Sequence, residues 1–221
     1  MSTIQIVLVR VVPLMLLMNL AGCANDIQTA HNALPQTIPA SVDDWNHGLN
    51  HVDFIQNFQL SDYAKIVMLA ADTASVHLPP KDDNTYQPVT ETLAKTSSIF
   101  SDALSEKLKG VIHVEATGKS ETGKSLTIQL RVIDMDPGSQ AMRYWVGLGA
   151  GKAHTQIEGD IVDSSTGKTL ASFKDDDYGS GGFFGGGYGD LLSNEVQTIG
   201  HNVGSLLEAF APASRAASAY R

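Results

Sequence analysis

Cysteine is almost absent from this chain. The one thiol, Cys23, excludes a disulfide within a monomer and leaves residues 24–221 free of sulfhydryls, a composition suited to an oxidising compartment. Long apolar runs are missing too. The most apolar stretch, VVPLMLLMNL at positions 11–20, is too short to cross a hydrocarbon layer of about 30 Å as a helix. Positive charge is scarce: 15 Lys and Arg stand against 24 Asp and Glu, and Arg10 is the one charged side chain among the first 22 residues. From Cys23 onward, 14 basic side chains face all 24 acids, a formal charge of −10. That balance weighs against nucleic-acid binding by phosphate neutralisation and against adhesion to anionic lipid through a basic patch.

The beginning of the chain stands apart. Arg10 precedes the apolar run and small residues follow it, the order of a secretory signal peptide. STIQIVLV before the arginine is more apolar than such regions usually are. Leu20-Ala21-Gly22-Cys23 resembles the lipobox of bacterial lipoproteins. The resemblance implies cleavage before Cys23, a diacylglycerol thioether on its sulfur and an acylated amino terminus. Small side chains at 21 and 22 let a peptidase reach the bond, and the cysteine sulfur takes the lipid. Several acyl chains hold lastingly, since each buried methylene contributes about 0.8 kcal/mol and one chain alone is marginal. Position 24 is Ala, not Asp, which by that family's sorting rule sends the protein to the outer membrane, facing the periplasm. Asp26 comes too late to retain it. A chance match beside a buried apolar segment is the competing reading.

Four regions follow from composition and periodicity: a signal peptide over 1–22, a tether and irregular lead-in over 23–60, an α/β domain over 61–210 and a tail over 211–221. The lead-in has no sustained period at first; DDWNHGLNHVDFIQNF at its end fits a short helical turn or an edge segment packed on the domain. KIVMLA at 65–70 reads as a central strand. Val89, Leu93, Phe100, Leu104 and Leu108 share one helix side, with Thr96 and Ser97 weakening the stripe so that the helix starts at Ser97 or Ser98 in one reading. Gly110 stops it, and VIHVEA at 111–116 is the next strand. Leu126, Ile128, Leu130 and Val132 alternate with Thr127, Gln129, Arg131 and Ile133, one set facing a core. Asp136-Pro137-Gly138-Ser139 turns the chain, which returns through Met142, Tyr144 and Val146. A strand over 153–162, a hairpin at 163–168 and a return over 169–173 follow. From Leu191 to Phe210 apolar residues recur every three or four positions, with Asp190 as N-cap and Gly200 and Gly204 allowing close approach to the sheet. The expected fold class is α/β: a two-layer mixed sheet with a β-α-β opening, an antiparallel meander and a C-terminal packing helix, both long helices covering one sheet face.

The run RYWVGLGAGKAH at 143–154 has the look of a phosphate cradle, but its spacing fails. A Walker A loop ending at Gly151-Lys152 needs glycine at 146 and a hydroxyl at 153, where Val146 and Ala153 stand. A dinucleotide fingerprint from Gly147 and Gly149 needs a third glycine at Lys152. Close backbone approach at a bend or bulge is the structural alternative. Tyr144 and Trp145 either fill space there or face a ligand, such as a sugar on which an aromatic ring stacks. The seven histidines form no dense metal motif; HGLNH at 47–51 lacks a zincin glutamate, which leaves Asp44, His47, His51 and Asp53 as a weak metal set. Asp175-Asp176-Asp177 lacks the remaining oxygens of a calcium loop and reads as a solvated strand end. No G-x-S-x-G elbow occurs.

Taken together, RYWVGLGAGKAH, GDIVDSSTGKTLASF and YGSGGFFGGGYG, in that order and followed by an amphipathic helix, resemble the DUF4410 family of bacterial envelope proteins over residues 60–210. The resemblance implies a lipoprotein but transfers no catalytic residue. His154 stands where a smaller or apolar residue is expected. The expected function is a noncatalytic binding or envelope-assembly module, with a glycan-binding lipoprotein and an envelope hydrolase as alternatives. Cys23 is the lipidation site, processed at Leu20, Ala21 and Gly22; the candidate contact residues are Tyr144, Trp145, Lys152, His154, Phe183 and Phe184. Membrane lipid and an envelope protein or glycan are the expected partners, with no cofactor, metal or nucleic acid; oligomeric state stays open.

Overall fold

The computed structural model describes residues 47–116, 124–139, 142, 151–179 and 187–211. Among these, six strands form one mixed sheet: β1 (His51–Phe54), β2 (Lys65–Met68), β3 (His113–Glu115), β4 (Ser125–Asp136), β5 (His154–Asp163) and β6 (Lys168–Asp177). Their spatial order is β1-β6-β5-β4-β2-β3. Helices α1 (Tyr86–Lys107) and α2 (Tyr188–Glu208) form the second layer. The expected two-layer α/β architecture is present. β2 and β3 pair in parallel on either side of α1, β4, β5 and β6 make the antiparallel meander, and α2 closes the layer.

The alternation read in β4 decides which face is covered. Leu126, Ile128, Leu130 and Val132 are buried, while Gln129 and Arg131 are exposed. Their partners Ile161 and Ile157 on β5, and Ala171 and Phe173 on β6, continue the same inner face. Phe173 stacks on Phe100 of α1, with ring centroids 6.4 Å apart, and Thr155 meets Glu195 of α2, so both helices lie on that face. A bulge between Val132 and Asp134 shifts the register; the extra residue reverses the alternation, and Met135 becomes the buried side chain.

Of the two readings of the stretch before residue 60, the edge segment is the one present: β1 pairs antiparallel with β6, and Leu49 and Phe58 are buried in the core. Several other local expectations change. Helix α1 begins at Tyr86, well before Ser97. Thr92, Thr96 and Ser101 lie buried on its inner stripe, and the Thr96 hydroxyl donates to the Thr92 carbonyl at 3.0 Å, so a polar side chain is tolerated without breaking the helix. Gly110 takes a φ of +80° just beyond α1, as expected of a stop. Helix α2 begins at Tyr188 with Gly187 as N-cap, which places Asp190 inside the first turn. Its Gly200 and Gly204 face α1, not the sheet: a methyl carbon on Gly200 would lie 2.9 Å from Ala103 Cβ, and one on Gly204 2.7 Å from Lys107 Cβ. Among the described residues the neighbours of β4 are β5 and β2; of the expected return through Met142, Tyr144 and Val146, the last two lie outside the described residues.

Candidate functional site

One end of the sheet gathers the end of β4, the start of β5, the end of β6 and the start of α2. The two glycine-rich segments are rooted here. Gly138 and Gly151 both take positive φ, +65° and +68°, and the Ser139 amide donates to the Gly151 carbonyl at 3.1 Å. A side chain on either glycine would overlap the backbone of the other side, at Lys152 and Ser139 respectively. Gly151 is therefore a close-approach glycine, the structural alternative to a phosphate cradle. The root of the second segment joins the first: the Gly179 amide donates to the Ala153 carbonyl at 3.1 Å.

Glu195 sits beneath this junction. It is fully buried on α2, accepting 2.6 Å hydrogen bonds from the Gly179 amide on Oε1 and from the Thr155 hydroxyl on Oε2. A side chain at Gly179 would overlap Glu195 Oε1. Burial pushes the Glu195 carboxyl up to about 7; the Thr155 and Gly179 hydrogen bonds pull it down, Asp177 pushes it up and His154 pulls it down. Asp175, also buried on the inner face, is raised by burial as well, opposed by hydrogen bonds from Asn202, Asn50 and Asp176. The three aspartates of β6 thus do not form one solvated cluster. Asp175 turns to the helices, whereas Asp176 approaches His154 on the opposite face.

His154 lies on the uncovered side of the same end. Its Nδ1 is 3.1 Å from Asp134 Oδ2, its Nε2 is 3.7 Å from Asp176 Oδ2, and its ring stacks on Tyr178 with centroids 4.5 Å apart. Tyr178 is 54% exposed, and Lys152, two residues before His154, is exposed. Of the residues singled out from sequence, Lys152 and His154 are brought to this end. Cys23, its processing residues Leu20, Ala21 and Gly22, and Tyr144, Trp145, Phe183 and Phe184 lie outside the described residues. Glu195, Thr155, Asp134 and Tyr178 were missed. The signal for Glu195 was its place among Leu191, Leu192, Val196 and Ile199, inside the apolar stripe.

Further along, the uncovered face forms a groove of about 550 Å³ floored by charged side chains. Lys174, Glu158, Arg131 and Asp72 follow one another across the sheet in register. Lys174 Nζ lies 3.3 Å from Glu158 Oε1, and Arg131 lies 4.0 Å from Glu158 and 3.8 Å from Asp72. Signs alternate, so each charge is answered within the row. His51 contacts Asp53 at 3.0 Å, in the open. Among the described residues, no group of three or more His, Cys, Asp or Glu is arranged to hold a metal ion, and no helix is long and apolar enough to cross a membrane.

Chemically, Glu195 can exchange a proton near neutrality, yet it and Thr155 are sealed from solvent. Their contacts hold backbone in place. The arrangement is one of presentation: two loop roots fastened to each other and to a helix. A family model described as a domain of unknown function, DUF4410, matches residues 66–182, more than half of the 221-residue chain. The chain belongs to the DUF4410 family. The match takes in the sheet from β2 to β6 together with α1, and both loop roots on the β4–β5 and β6 sides.

No curated protein matches this DUF4410 chain. Among solved structures it is similar to the PelC dodecamer protein from Paraburkholderia phytofirmans, at 10% identity over 69% of this chain and 97% of that one, with a TM-score of 0.43. It is similar also to XCC0632 from Xanthomonas campestris, of the DUF330 family model, at 11% identity over 70% and 90% and a TM-score of 0.38. A third is lipoprotein GNA1162 from Neisseria meningitidis, at 14% identity over 63% and 97% and a TM-score of 0.33.

Proposed function

We propose that this DUF4410 chain is a lipid-anchored envelope module, tethered through acylated Cys23 at the periplasmic side of the outer membrane, that contacts another envelope protein without catalysis. The carrying observation is the Gly179 amide to Ala153 carbonyl hydrogen bond. It ties together the roots of the two segments that contain Tyr144, Trp145, Phe183 and Phe184, with His154 and Lys152 at the same end. Aromatic side chains are favoured anchors at protein contacts, so two aromatic-bearing segments with a shared root make this end the leading contact surface. The acidic balance leaves the anchor to acyl chains, in keeping with the LAGC sequence at 20–23.

Photo-crosslinkers placed at positions 145 and 183 in intact cells test the reading. One discrete product is expected, lost in Phe184→Ala protein whose thermal midpoint is unchanged and depleted in Cys23→Ser protein released from the membrane. Products as scattered as those from a linker at Lys81, on the surface connection before α1, would overturn it.

A glycan reading has one specific observation in its favour. Tyr178 offers an exposed ring backed by His154, with the Asp134 and Asp176 carboxylates beside it, a pairing of aromatic plane and hydrogen-bond acceptors suited to a sugar. Saturable binding of envelope glycans that Tyr178→Ala abolishes, with no protein crosslink, would favour this second reading.

A further inference from the structure

We propose that Glu195 is a proton-operated latch on the root of the β6–α2 connection, closed while its carboxyl is neutral and loosened when it is ionised. Three parts of the chain meet at this side chain: Thr155 at the start of β5, Gly179 just beyond β6 and Glu195 on the third turn of α2. The absence of a side chain at position 179 is what lets the carboxyl approach the backbone. Lifting residue 179 is therefore the direct way to bring water to Oε1.

Both donors to the carboxyl are neutral. Among the described residues, the charged groups facing it are Asp177 from β6, which repels its anion, and His154 from β5, whose Nδ1 is already engaged by Asp134. Asp175, two residues back on the inner face of β6, adds a second acid on that side and bonds Asn202 instead. Helix α1 meets α2 further along, at Gly200 and Gly204. A protonated Glu195 keeps both contacts, since its hydroxyl donates to Thr155 Oγ1 while its other oxygen still accepts from Gly179. An ionised one is a buried charge whose hydrogen-bond partners are both neutral, which low-dielectric surroundings disfavour. The carboxyl is accordingly raised to about 7, so both forms are populated near neutrality. That the latch adjusts partner contact rests on the function proposed above; the latch itself rests on the fold alone.

The test is amide hydrogen exchange of Gly179 in the full chain in detergent micelles, read as protection factors from about pH 5.5 to about pH 8.5. Wild-type protection is expected to fall at least about tenfold over that range, and Glu195→Gln, isosteric and neutral, to stay within about threefold. Asp177→Asn removes the like charge and is expected to move the midpoint to lower pH, a shift that a merely structural contact does not produce. Protection independent of pH in wild type, or an equal fall in Glu195→Gln, overturns the latch. If the Gln variant does not fold, a carbon-13 titration of wild-type Glu195 decides: a midpoint near the ordinary glutamate value overturns it, and one near 7 upholds it. Crosslinks from position 145 that do not vary with pH while protection does would keep the latch and the proposed function and overturn the link between them.

Discussion

Gly200 of α2 lies against Ala103 of α1 with no room for a side chain, since a methyl carbon there would come within 3.1 Å of the Phe100 carbonyl oxygen as well. Both contacts involve backbone or Cβ atoms, which cannot swing aside. Gly200→Val is expected to cost about 1–3 kcal/mol through overpacking, despite valine's better helix propensity. Urea unfolding of the full chain checks this; an unchanged midpoint would mean that the helices separate without penalty.

Stability should fall as pH rises through neutrality. The Glu195 carboxyl is raised from 4.5 to about 7, so the folded state holds its proton more tightly than the unfolded chain. Its contribution is fully present below about pH 4.5 and is lost as pH climbs through about 7, on the order of 3 kcal/mol in all. Urea midpoints measured at about pH 5, 7 and 8.5 should decline in wild type and flatten in Glu195→Gln, with Asp175 leaving a residual slope of the same sign.

Asp163 works in the other direction. The Ser165 hydroxyl, then the amides of Thr166 and Ser165, hold its carboxyl down at about 2 against burial, with Tyr63 adding a further hydrogen bond. Being depressed, it contributes stability above about pH 4 that is lost as pH falls through about 2. Asp163→Ala should cost about 1 kcal/mol and remove part of the acid sensitivity in that window, measurable by thermal melts at low pH.

Asn202 fastens the entry of the chain. Its side-chain amide donates to the Gly48 carbonyl at 3.3 Å and to Asp175 Oδ2 at 3.0 Å. Asn202→Ala takes a donor from a buried carboxylate and should cost about 1–3 kcal/mol. Limited proteolysis is expected to show faster cleavage near residues 47–50; cleavage at the wild-type rate would show that strand β1 and the Asn50 amide's bond to Asp175 hold that turn without Asn202.

The layers were legible where one face is apolar and the other wet. Leu126 to Val132 announced their face by strict alternation, and the stripe from Leu191 to Phe210 announced α2. Strand β1 was legible only as one of two readings, an edge segment or a helical turn, because HVDF pairs along one side only and buries neither face completely. The early start of α1 was hidden because Thr96 and Ser97 interrupt the stripe chemically, although Thr96 is buried and fills it sterically. At the site, His154 was noticed for its position in a glycine-rich run, but its partners Asp134 and Asp176 come from strands distant in sequence. Glu195 was missed although it stands as a lone acid in an apolar stripe; what it bonds to depends on strand register, which periodicity does not report.

Strand β1 takes its place beside β6, with His51 opposite Lys174. The first strand of the sheet must therefore wait for the last, and that long-range closure is entropically demanding. A chain delivered amino terminus first would hold its opening segment unpaired until nearly everything else had emerged. On that route the seam between β1 and β6 is the last part of the sheet to close.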